Sequence, residues 1–536
     1  MKNIKKYIIA SSLLLLTTAC SDLTELNVNP SFPTDVPANT LINPIEQYMA
    51  RGLSFDGRFI GKYIQNFSHS TANFVWDRYG NDPVPSENGA ETWRVVYTNI
   101  GLNLSVVQQQ AIEQNRYDVL GFSKVIRAWS WQTNTDHHGE IIDFDQVFTA
   151  RASFDYVSQD KVYTEVVRLL NEGIADLART DGGVDKAYFA VGDKIYNGDR
   201  AKWTKFAYGV LARNANNLIN KANYDPAKVI EYCDKSLASS ADDAYLLNNG
   251  AVSDDTNFWG PLRANMNNFR QTDFVVRTMD GTTFTGAIDP RMSRMLSPSK
   301  GASETAPATA ANPDPTKYLY LGNPLNTAAA TSGTSQIPNP YGLLANPVTA
   351  DPGRYVFKNA AKFPLMTYME IQFIKAEAAF IKGDKAVALD AYKKGIEASF
   401  DFVNLNTVAR TTYPITTTIT AAERTAFMGN VAIVPAAANL TISQIMLQKY
   451  IALWGIGYIE TWNDFRKYHY DPLVYTSLNT EGNIANGGNV SENFGKLPYR
   501  LRNRYASEYQ WNYAAILSIG GEKVDYITKE MWFSQK

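Results

Sequence analysis

The sequence has few of the side chains that carry out most metal and nucleophilic chemistry. Cysteine occurs twice and histidine four times in 536 residues. There is no HExxH or GxSxG motif, and the cluster His137-His138-x-Glu140 lacks the helical spacing of metal ligands. We therefore expect no metal site, no cofactor and no catalytic residues. The two carboxylates of a glycosidase could still converge among the 53 acidic residues, although no spacing favours them.

The sequence also lacks a strong excess of either charge and, beyond its start, long apolar runs. The formal net charge is −2 and the pI is about 6.2. Nothing in this balance favours nucleic acid or an anionic membrane surface as a partner. No segment after Cys20 approaches the roughly 18 consecutive apolar residues of a membrane-spanning helix. The mature chain is therefore expected to be a water-soluble body.

Residues 1–19 have the pattern of a signal peptide. Three lysines precede an apolar run at 7–16, and small residues lead to Cys20. The run is about half as long as a spanning helix, which favours a cleaved signal over an anchor. Cys20 stands where a bacterial lipoprotein carries its acylated N-terminus, and an ordinary signal peptide that happens to contain a cysteine is the alternative. Residues 20–40 would form a tether, and Cys233, left without a disulfide partner, is expected to be a buried thiol.

The clearest helical pattern lies at 364–400. One stripe of apolar side chains recurs every three or four residues, the spacing of a single helical face: Met369, Phe373, Ala376 and Phe380. Gly383 suits the left-handed end of this helix, and Asp384 suits the N-cap of the next one. The two helices resemble a degenerate tetratricopeptide repeat, with an ordinary helical hairpin as the alternative.

Similar helical patterns divide the rest of the chain. They recur over about 92–240 and about 364–467, whereas about 248–363 is broken by Gly, Pro, Asn and Thr and predicts loops and short strands. Residues 468–536 indicate an irregular closing segment. Because stacked repeats contact only their neighbours, a chain of this length can form a single domain, which we place at 41–536.

Local patterns make several further predictions. The stretches 41–53 and 55–67 predict two successive helical segments, and 136–148 predicts a loop. Asp199 suits the N-cap of a helix whose side chains Trp203 and Phe206 point inward.

Six separated motifs follow one another along the mature chain. They are LNVNPSFPTD after Cys20, TDHHGEI at 135–141, YNGD with KW and KFA at 196–207, DPR at 289–291, LQKYIAL at 447–453 with ETW at 460–462, and LPYR at 497–500. In this order the motifs resemble those of the SusD/RagB family of surface-exposed, nutrient-binding lipoproteins of the outer membrane. The second motif departs from the family pattern, since Glu140 replaces an aspartate.

The resemblance implies a mainly α fold of about four tetratricopeptide-like helix pairs, with an irregular, loop-rich half laid over them. It implies a lipid-anchored protein on the outer membrane, facing the cell exterior, that binds a nutrient and does not catalyse. Its partner would be a SusC-like TonB-dependent β-barrel transporter. Its ligand would be an oligo- or polysaccharide or, in some members, a peptide. Two alternatives remain: a surface enzyme that degrades glycan or protein, and a repeat-based adaptor that binds a partner protein and no small ligand.

Two loops offer the mixture of aromatic and polar side chains that a saccharide site needs. A sugar ring packs its C–H face on an exposed aromatic plane, and its hydroxyls need Asn, Asp, Gln or Arg beside that plane. The candidates of the first loop, flanked by Asn81, are Asn73, Phe74, Trp76, Asp77, Arg78 and Tyr79, and those of the second are Asn257, Phe258, Trp259 and Arg263. We take Trp76 as the first candidate for stacking and Trp259 as the second. The alternative is that both rings pack back on their own domain.

Overall fold

The computed structural model describes residues 36–81, 88–252, 255–299, 319–330, 335–342, 353–409, 416–482, 484–488 and 493–536. The predicted signal peptide, the lipidation site Cys20 and most of the tether lie outside these residues. Within the described ranges, no helix combines the length and the apolar character that crossing a membrane requires.

The described chain is mainly helical. Its α-helices are α1 Ala38–Tyr63, α2 Glu91–Val95, α3 Asn103–Glu113, α4 Tyr117–His138, α5 Gln159–Ala178, α6 Lys186–Gly192, α7 Arg200–Asn216, α8 Pro226–Lys235, α9 Asp273–Met279, α10 Met292–Met295, α11 Tyr368–Lys382, α12 Lys385–Asn406, α13 Ala421–Met428, α14 Ile442–Leu453, α15 Tyr458–Lys467 and α16 Tyr513–Ile519. One π-helix, Val96–Leu102, joins α2 to α3, and another, Tyr505–Tyr509, lies in the closing segment.

The strands are short and pair two by two. They are β1 Phe67–His69, β2 Ile141–Ile142, β3 Tyr156–Val157, β4 Ala244–Leu247, β5 Phe269–Gln271, β6 Gly353–Arg354, β7 Phe357–Lys358 and β8 Lys362–Met366. The antiparallel pairs are β1 with β5, β2 with β3, β4 with β8 and β6 with β7. Pairs β1–β5 and β4–β8 each join distant parts of the chain, so they fasten the loop-rich region to the helices.

The helices stack in chain order, as expected of a tetratricopeptide-like scaffold. α3 packs on α4, α4 on α5, α5 on α7, α7 on α8, α8 on α11 and α11 on α12. Gly383 has φ +89° at the end of α11, and the Asp384 side chain accepts a hydrogen bond from Val387 N at the start of α12. Asp199 caps α7 in the same way, with Trp203 buried behind it. The predicted fold class and these helix ends are confirmed.

Two local predictions are wrong. The stretches 41–53 and 55–67 are not separate, because the single helix α1 runs from Ala38 to Tyr63 with Pro44 inside it. The predicted loop at 136–148 begins too early, since α4 continues to His138. Asp136 stays in the helix because its carboxylate accepts a hydrogen bond of 2.9 Å from Gln132, one turn earlier.

Side chains from three helices form a buried network of charges at the centre of the scaffold. Lys467 Nζ lies 2.8 Å from Glu377 Oε1 and 2.9 Å from Asp464 Oδ1. Lys449 Nζ lies 2.8 Å from Asp464 Oδ2. All four side chains are at most 5% exposed, so water cannot replace a missing partner. The network therefore holds α11, α14 and α15 in one arrangement.

A second set of polar contacts extends this network to α4 and α7. Arg213 lies 2.6 Å from Glu370 Oε1 and 3.0 Å from Glu460 Oε1. Asp136, at the end of α4, accepts a hydrogen bond of 2.8 Å from Asn463 Nδ2 in α15. The motifs TDHHGEI, LQKYIAL and ETW thus contribute to the same buried network.

Two more motifs form buried ion pairs at the edges of the scaffold. Arg291 and Asp289 of the DPR motif pair at 2.5 Å with side chains at most 1% exposed. Arg500 of the LPYR motif pairs with Glu140 at 2.5 Å, so Glu140 keeps the charge of the aspartate it replaces. These motif residues stabilise the fold.

Asp193, just before the YNGD motif, organises the turn between α6 and α7. Its carboxylate accepts hydrogen bonds from the backbone N–H of Tyr196 and Gly198 and from Trp203 Nε1. Glu46 of α1 lies against it and accepts a hydrogen bond from Lys194 N. Burial and the adjacent Asp193 carboxylate raise the pKa of Glu46 well above its usual value of 4.5. Glu46 therefore keeps its proton to a higher pH than a free glutamate does.

We predict that Lys467→Met lowers the free energy of unfolding by roughly 3–5 kcal/mol, because it leaves buried carboxylates short of a cation. Lys382→Met, at an exposed position in the last turn of α11, serves as the control and should change it by about 0.5 kcal/mol or less. Urea titration followed by circular dichroism measures both. Equal midpoints for the two variants would mean that the network contributes nothing.

We predict that Glu46→Gln is more stable than the native protein above about pH 4.5, by a margin that grows as pH rises. The folded state keeps the Glu46 proton when the unfolded state has lost it, so the native protein loses stability as pH rises from the unfolded pKa through the folded one. A glutamine side-chain oxygen can still accept the hydrogen bond from Lys194 N, and glutamine has no proton to lose. Thermal melts from pH 4 to pH 9, with the exposed Glu397→Gln as control, should show a gap that widens with pH. A gap that is constant across this range would contradict the raised pKa of Glu46.

Candidate ligand-binding surface

One face of α1 carries alternating cationic and aromatic side chains. Arg51, Phe55, Arg58 and Lys62 recur at spacings of three or four residues, so they lie along one side of the helix. The Arg58 guanidinium lies 4.3 Å from the Phe55 ring centre, and the Arg51 guanidinium lies 5.4 Å from it. Arg51, Phe55 and Arg58 are half-buried, so their outer sides face solvent.

The second predicted loop packs on this face of α1. The ring of Phe258 lies 4.5 Å from the Arg51 guanidinium and 4.9 Å from that of Arg58. Its centre is 5.8 Å from that of Phe55. Burial lowers the pKa of Arg58 to about 10, so the guanidinium stays charged near neutral pH. Cation–π contacts of this kind hold the rings in place while leaving part of each exposed.

The first predicted loop reaches the same face one turn further along. Lys62 Nζ lies 3.6 Å from the Phe269 ring centre and 5.1 Å from that of Phe74. Phe74 in turn stacks on His69, with ring centres 4.3 Å apart and an angle of 11° between the planes. Burial, with the nearby Lys62 and Arg270, lowers the pKa of His69 to about 4, so its ring is neutral near pH 7. Both loops therefore meet on α1, which we call the α1 face: Arg51, Phe55, Arg58, His69, Phe74 and Phe258.

A pocket of about 330 Å³ opens at the Phe258 end of the α1 face. Its lining includes the predicted residues Asn257 and Arg263. It also includes side chains that we did not predict: Gln47, Tyr48, Arg51 and Arg94. This volume is in the range of known small-ligand sites.

The two predicted tryptophans do not provide stacking platforms. Trp76 is 0% exposed and lies against Phe59 and Tyr63, with ring centres 5.0 and 5.1 Å away. Trp259 is 1% exposed, and its Nε1 donates to Ser54 O at 2.9 Å. A ring without an exposed face cannot stack on a sugar. The prediction that Trp76 and Trp259 stack on the ligand is therefore wrong. Both rings pack on their own domain, which was the alternative.

Two more predicted residues of the first loop are buried supports. The Asp77 carboxylate accepts a hydrogen bond of 2.8 Å from His69 N, which fixes the start of the loop. Tyr79 is 0% exposed, and its hydroxyl donates to Asn479 O. In the second loop, Asn257 Nδ2 donates to Val356 O at 2.7 Å, so this side chain holds the loop against β7.

The remaining predicted residues lie at the surface. Asn73 is exposed, and its backbone N–H donates to Asn326 Oδ1 at 2.7 Å. Arg78 is half-buried and donates to Gly488 O at 3.4 Å. Arg263 is half-buried, and its Nε donates to Thr256 O at 3.3 Å. Asn73, Phe74, Arg78, Phe258 and Arg263 can therefore still contact a ligand.

Sequence reasoning missed the contribution of α1 itself. Arg51, Phe55 and Arg58 were available as a pattern, since cations and aromatics alternate there at helical spacing. Loops are the expected source of binding residues, because repeat helices usually bury their aromatic side chains. α1 precedes the repeats, and the loops cover it only in part.

A second depression lies at the π-helices. It measures about 210 Å³, and its lining includes Trp93, Tyr97, Phe148 and Trp511. The Trp511 ring is 78% exposed. This groove is more apolar than the pocket at Phe258, and Arg94 lies between the two.

Within the part of the chain that the structure describes, no group of three or more His, Cys, Asp or Glu side chains is arranged to hold a metal ion. Cys233 is buried, and burial raises the pKa of its thiol well above the usual range. The described residues thus offer neither a metal centre nor a reactive thiolate.

Comparison with known proteins assigns the family. The SusD-like family, described as "Starch-binding associating with outer membrane", matches residues 30–499. The chain belongs to this family. Among curated proteins, none matches the sequence.

Solved structures share the fold of this SusD-like protein over nearly its whole length. A SusD/RagB family protein from Bacteroides thetaiotaomicron is 22% identical, with a TM-score of 0.69 over 93% of this chain and 99% of that one. A SusD homolog from Bacteroides fragilis is 17% identical, with a TM-score of 0.66 over 93% and 100%. A chitin-binding SusD homolog from Flavobacterium johnsoniae is 18% identical, with a TM-score of 0.62 over 93% and 98%.

We predict that Trp76→Ala in this SusD-like protein lowers the free energy of unfolding by about 3–5 kcal/mol, because it empties a packed core position. Trp511→Ala removes the same side chain from an exposed position and should cost about 0.5 kcal/mol or less. Denaturant unfolding compares the two. If Trp76→Ala left stability unchanged and weakened ligand binding instead, Trp76 would be a contact residue and the packing described above would be wrong.

Proposed function

We propose that the protein is a surface-exposed lipoprotein that binds an oligo- or polysaccharide on the α1 face and passes it to a SusC-like TonB-dependent transporter. The mature chain would be anchored in the outer membrane through acylated Cys20, face the cell exterior and leave its ligand chemically unchanged. The tether up to residue 40 would separate the body from the lipid.

The observation that carries this proposal is the convergence of both loops on α1. Three half-buried phenylalanines, Phe55, Phe74 and Phe258, contact cations of α1: guanidinium groups lie beside Phe55 and Phe258, and the buried Lys62 ammonium lies beside Phe74. Aromatic planes with hydrogen-bond donors at their edges are what the C–H face and hydroxyls of a sugar require. The family description names starch binding, and one structure of similar fold is of a chitin-binding protein. Both agree with a glycan ligand for this chain.

Two further candidate functions are kept as outcomes of the experiment. A peptide could bind to the same rings and guanidinium groups. The protein would then resemble the peptide-binding members of the family. A surface enzyme would need two catalytic carboxylates that converge on the bound saccharide.

The mature protein, solubilised in detergent, would be tested on arrayed glycans and peptides and then by calorimetry with the best binder. We predict that Phe258→Ala weakens saccharide binding about tenfold or more, because one stacking ring is worth roughly 1–3 kcal/mol. Phe74→Ala should also weaken it. Trp511→Ala, outside the α1 face, is the matched control and should bind as the native protein does.

Three results would contradict the proposal. Saccharide binding that is weakened by Trp511→Ala and untouched by Phe258→Ala would move the site to the groove at the π-helices. Binding of peptides alone would make the protein a peptide carrier. Cleavage of the bound saccharide, detected by chromatography of the ligand after incubation with the protein, would show that the protein is an enzyme.

A further inference from the structure

The pocket at Phe258 draws its charged side chains from three separate elements. Arg51 comes from α1, Arg94 from α2 and Arg263 from the short 3₁₀ helix Pro261–Arg263. The Arg51 and Arg94 side chains are 36% and 34% exposed. Three guanidinium groups brought together from distant parts of the sequence give this pocket a pronounced positive lining.

The acidic side chains near the pocket do not face into it. Glu91 pairs with Arg94 at 2.6 Å and lies 3.5 Å from Arg51, but its side chain is only 11% exposed. Asp56, behind Glu91, accepts hydrogen bonds from the backbone N–H of Glu91 and Thr92, and burial raises its pKa to about 7. Glu91 therefore holds Arg51 and Arg94 in place, and Asp56 holds the backbone that carries Glu91.

The described part of the second loop adds no acid to the lining. Its acidic residue, Asp255, accepts a hydrogen bond of 3.4 Å from Asn249 N and does not line the pocket. Arg263 forms no ion pair with any described residue. Among the described residues that line the pocket, three are arginines and none is a carboxylate.

This lining fits one class of saccharide better than the others. Neutral sugars donate hydrogen bonds through their hydroxyls, and carboxylate side chains are the strongest acceptors for them. A guanidinium group donates only, and its planar fork of N–H groups matches the oxygens of a carboxylate or sulfate. With half-buried Phe258 in the wall, a sugar ring could pack on the phenyl plane while an acidic substituent enters between the arginines.

We propose that this pocket binds the acidic group, a carboxylate or a sulfate, of a charged saccharide. Arg51, Arg94 and Arg263 are the residues that hold it, and Phe258 orients the ring that bears it. The inference rests on the proposed function, since it names the ligand class of the same α1 face.

The experiment compares ligands that differ only in charge. Polygalacturonate is set against fully methyl-esterified pectin, and dextran sulfate against dextran, each titrated into the mature protein in detergent. We expect the acidic member of at least one pair to bind at least tenfold more tightly, and added salt to reduce the difference because it screens exposed charges. The pair whose acidic member binds more tightly shows whether the pocket prefers a carboxylate or a sulfate.

Two variants locate the interaction. Arg263→Gln and Arg51→Gln should each weaken binding of the acidic polymer about tenfold, the loss of one charge-assisted hydrogen bond, and weaken binding of the neutral polymer much less, because a neutral sugar offers these arginines no negative charge. Arg51→Gln is included because Arg263→Gln also removes the bond to Thr256 O and could loosen the loop. Arg168→Gln, the same change at an exposed position of α5, is the control and should have no effect on binding of either polymer.

The outcomes separate this inference from the proposed function. If both members of each pair bind equally, if the arginine variants affect both members alike and if Phe258→Ala weakens both, the saccharide function stands and the acidic ligand is refuted. If no saccharide binds, the proposed function fails and the inference fails with it. Binding of polyglutamate without binding of either acidic polymer would also overturn the inference, because the acid would then be that of a peptide.

Discussion

The ionic network between α11, α14 and α15 is the constraint on which the scaffold depends. Its lysines and carboxylates are buried, so each requires its partner, and only one arrangement of the helices satisfies all of them. Arg213 and Asp136 carry the network to α7 and α4. Most of the recognisable motifs contribute to it or to the buried pairs around it. The recognisable motifs therefore belong mostly to the buried scaffold, and the proposed binding surface lies outside them.

α1 connects this scaffold to the proposed binding surface. Its inner side packs on α2, α3, α6 and α15, while its outer side carries Arg51, Phe55 and Arg58. Two loops cover part of this outer side: the first loop, which carries Phe74, and the second loop, which carries Phe258 and belongs to the loop-rich region. The strand pair β1–β5 holds the loop-rich region beside α1. Phe55 belongs to α1 itself, and contacts with the α1 cations Arg51 and Lys62 hold the loop residues Phe258 and Phe74 against this helix.

The sequence predicted the scaffold well because its signals are local. The left-handed turn at Gly383 and the cap at Asp199 depend on neighbours within a few residues, and both were found. The binding residues depend on contacts between distant segments. Trp76 and Phe74 are two residues apart, yet one is enclosed by α1 and the other is half-exposed, and no periodicity in a loop separates these cases. Lipidation at Cys20 stays a prediction, since that residue lies outside the described chain.

The central claim is that ligand binds on the α1 face and not in the groove beside Trp511. A crystal structure of the protein with its bound saccharide tests this directly. We expect a sugar ring against Phe258 or Phe74, with its polar groups within hydrogen-bond distance of Arg51, Arg58 or Arg263. A saccharide found instead against Trp511 and Tyr97, with the α1 face empty, would contradict the account.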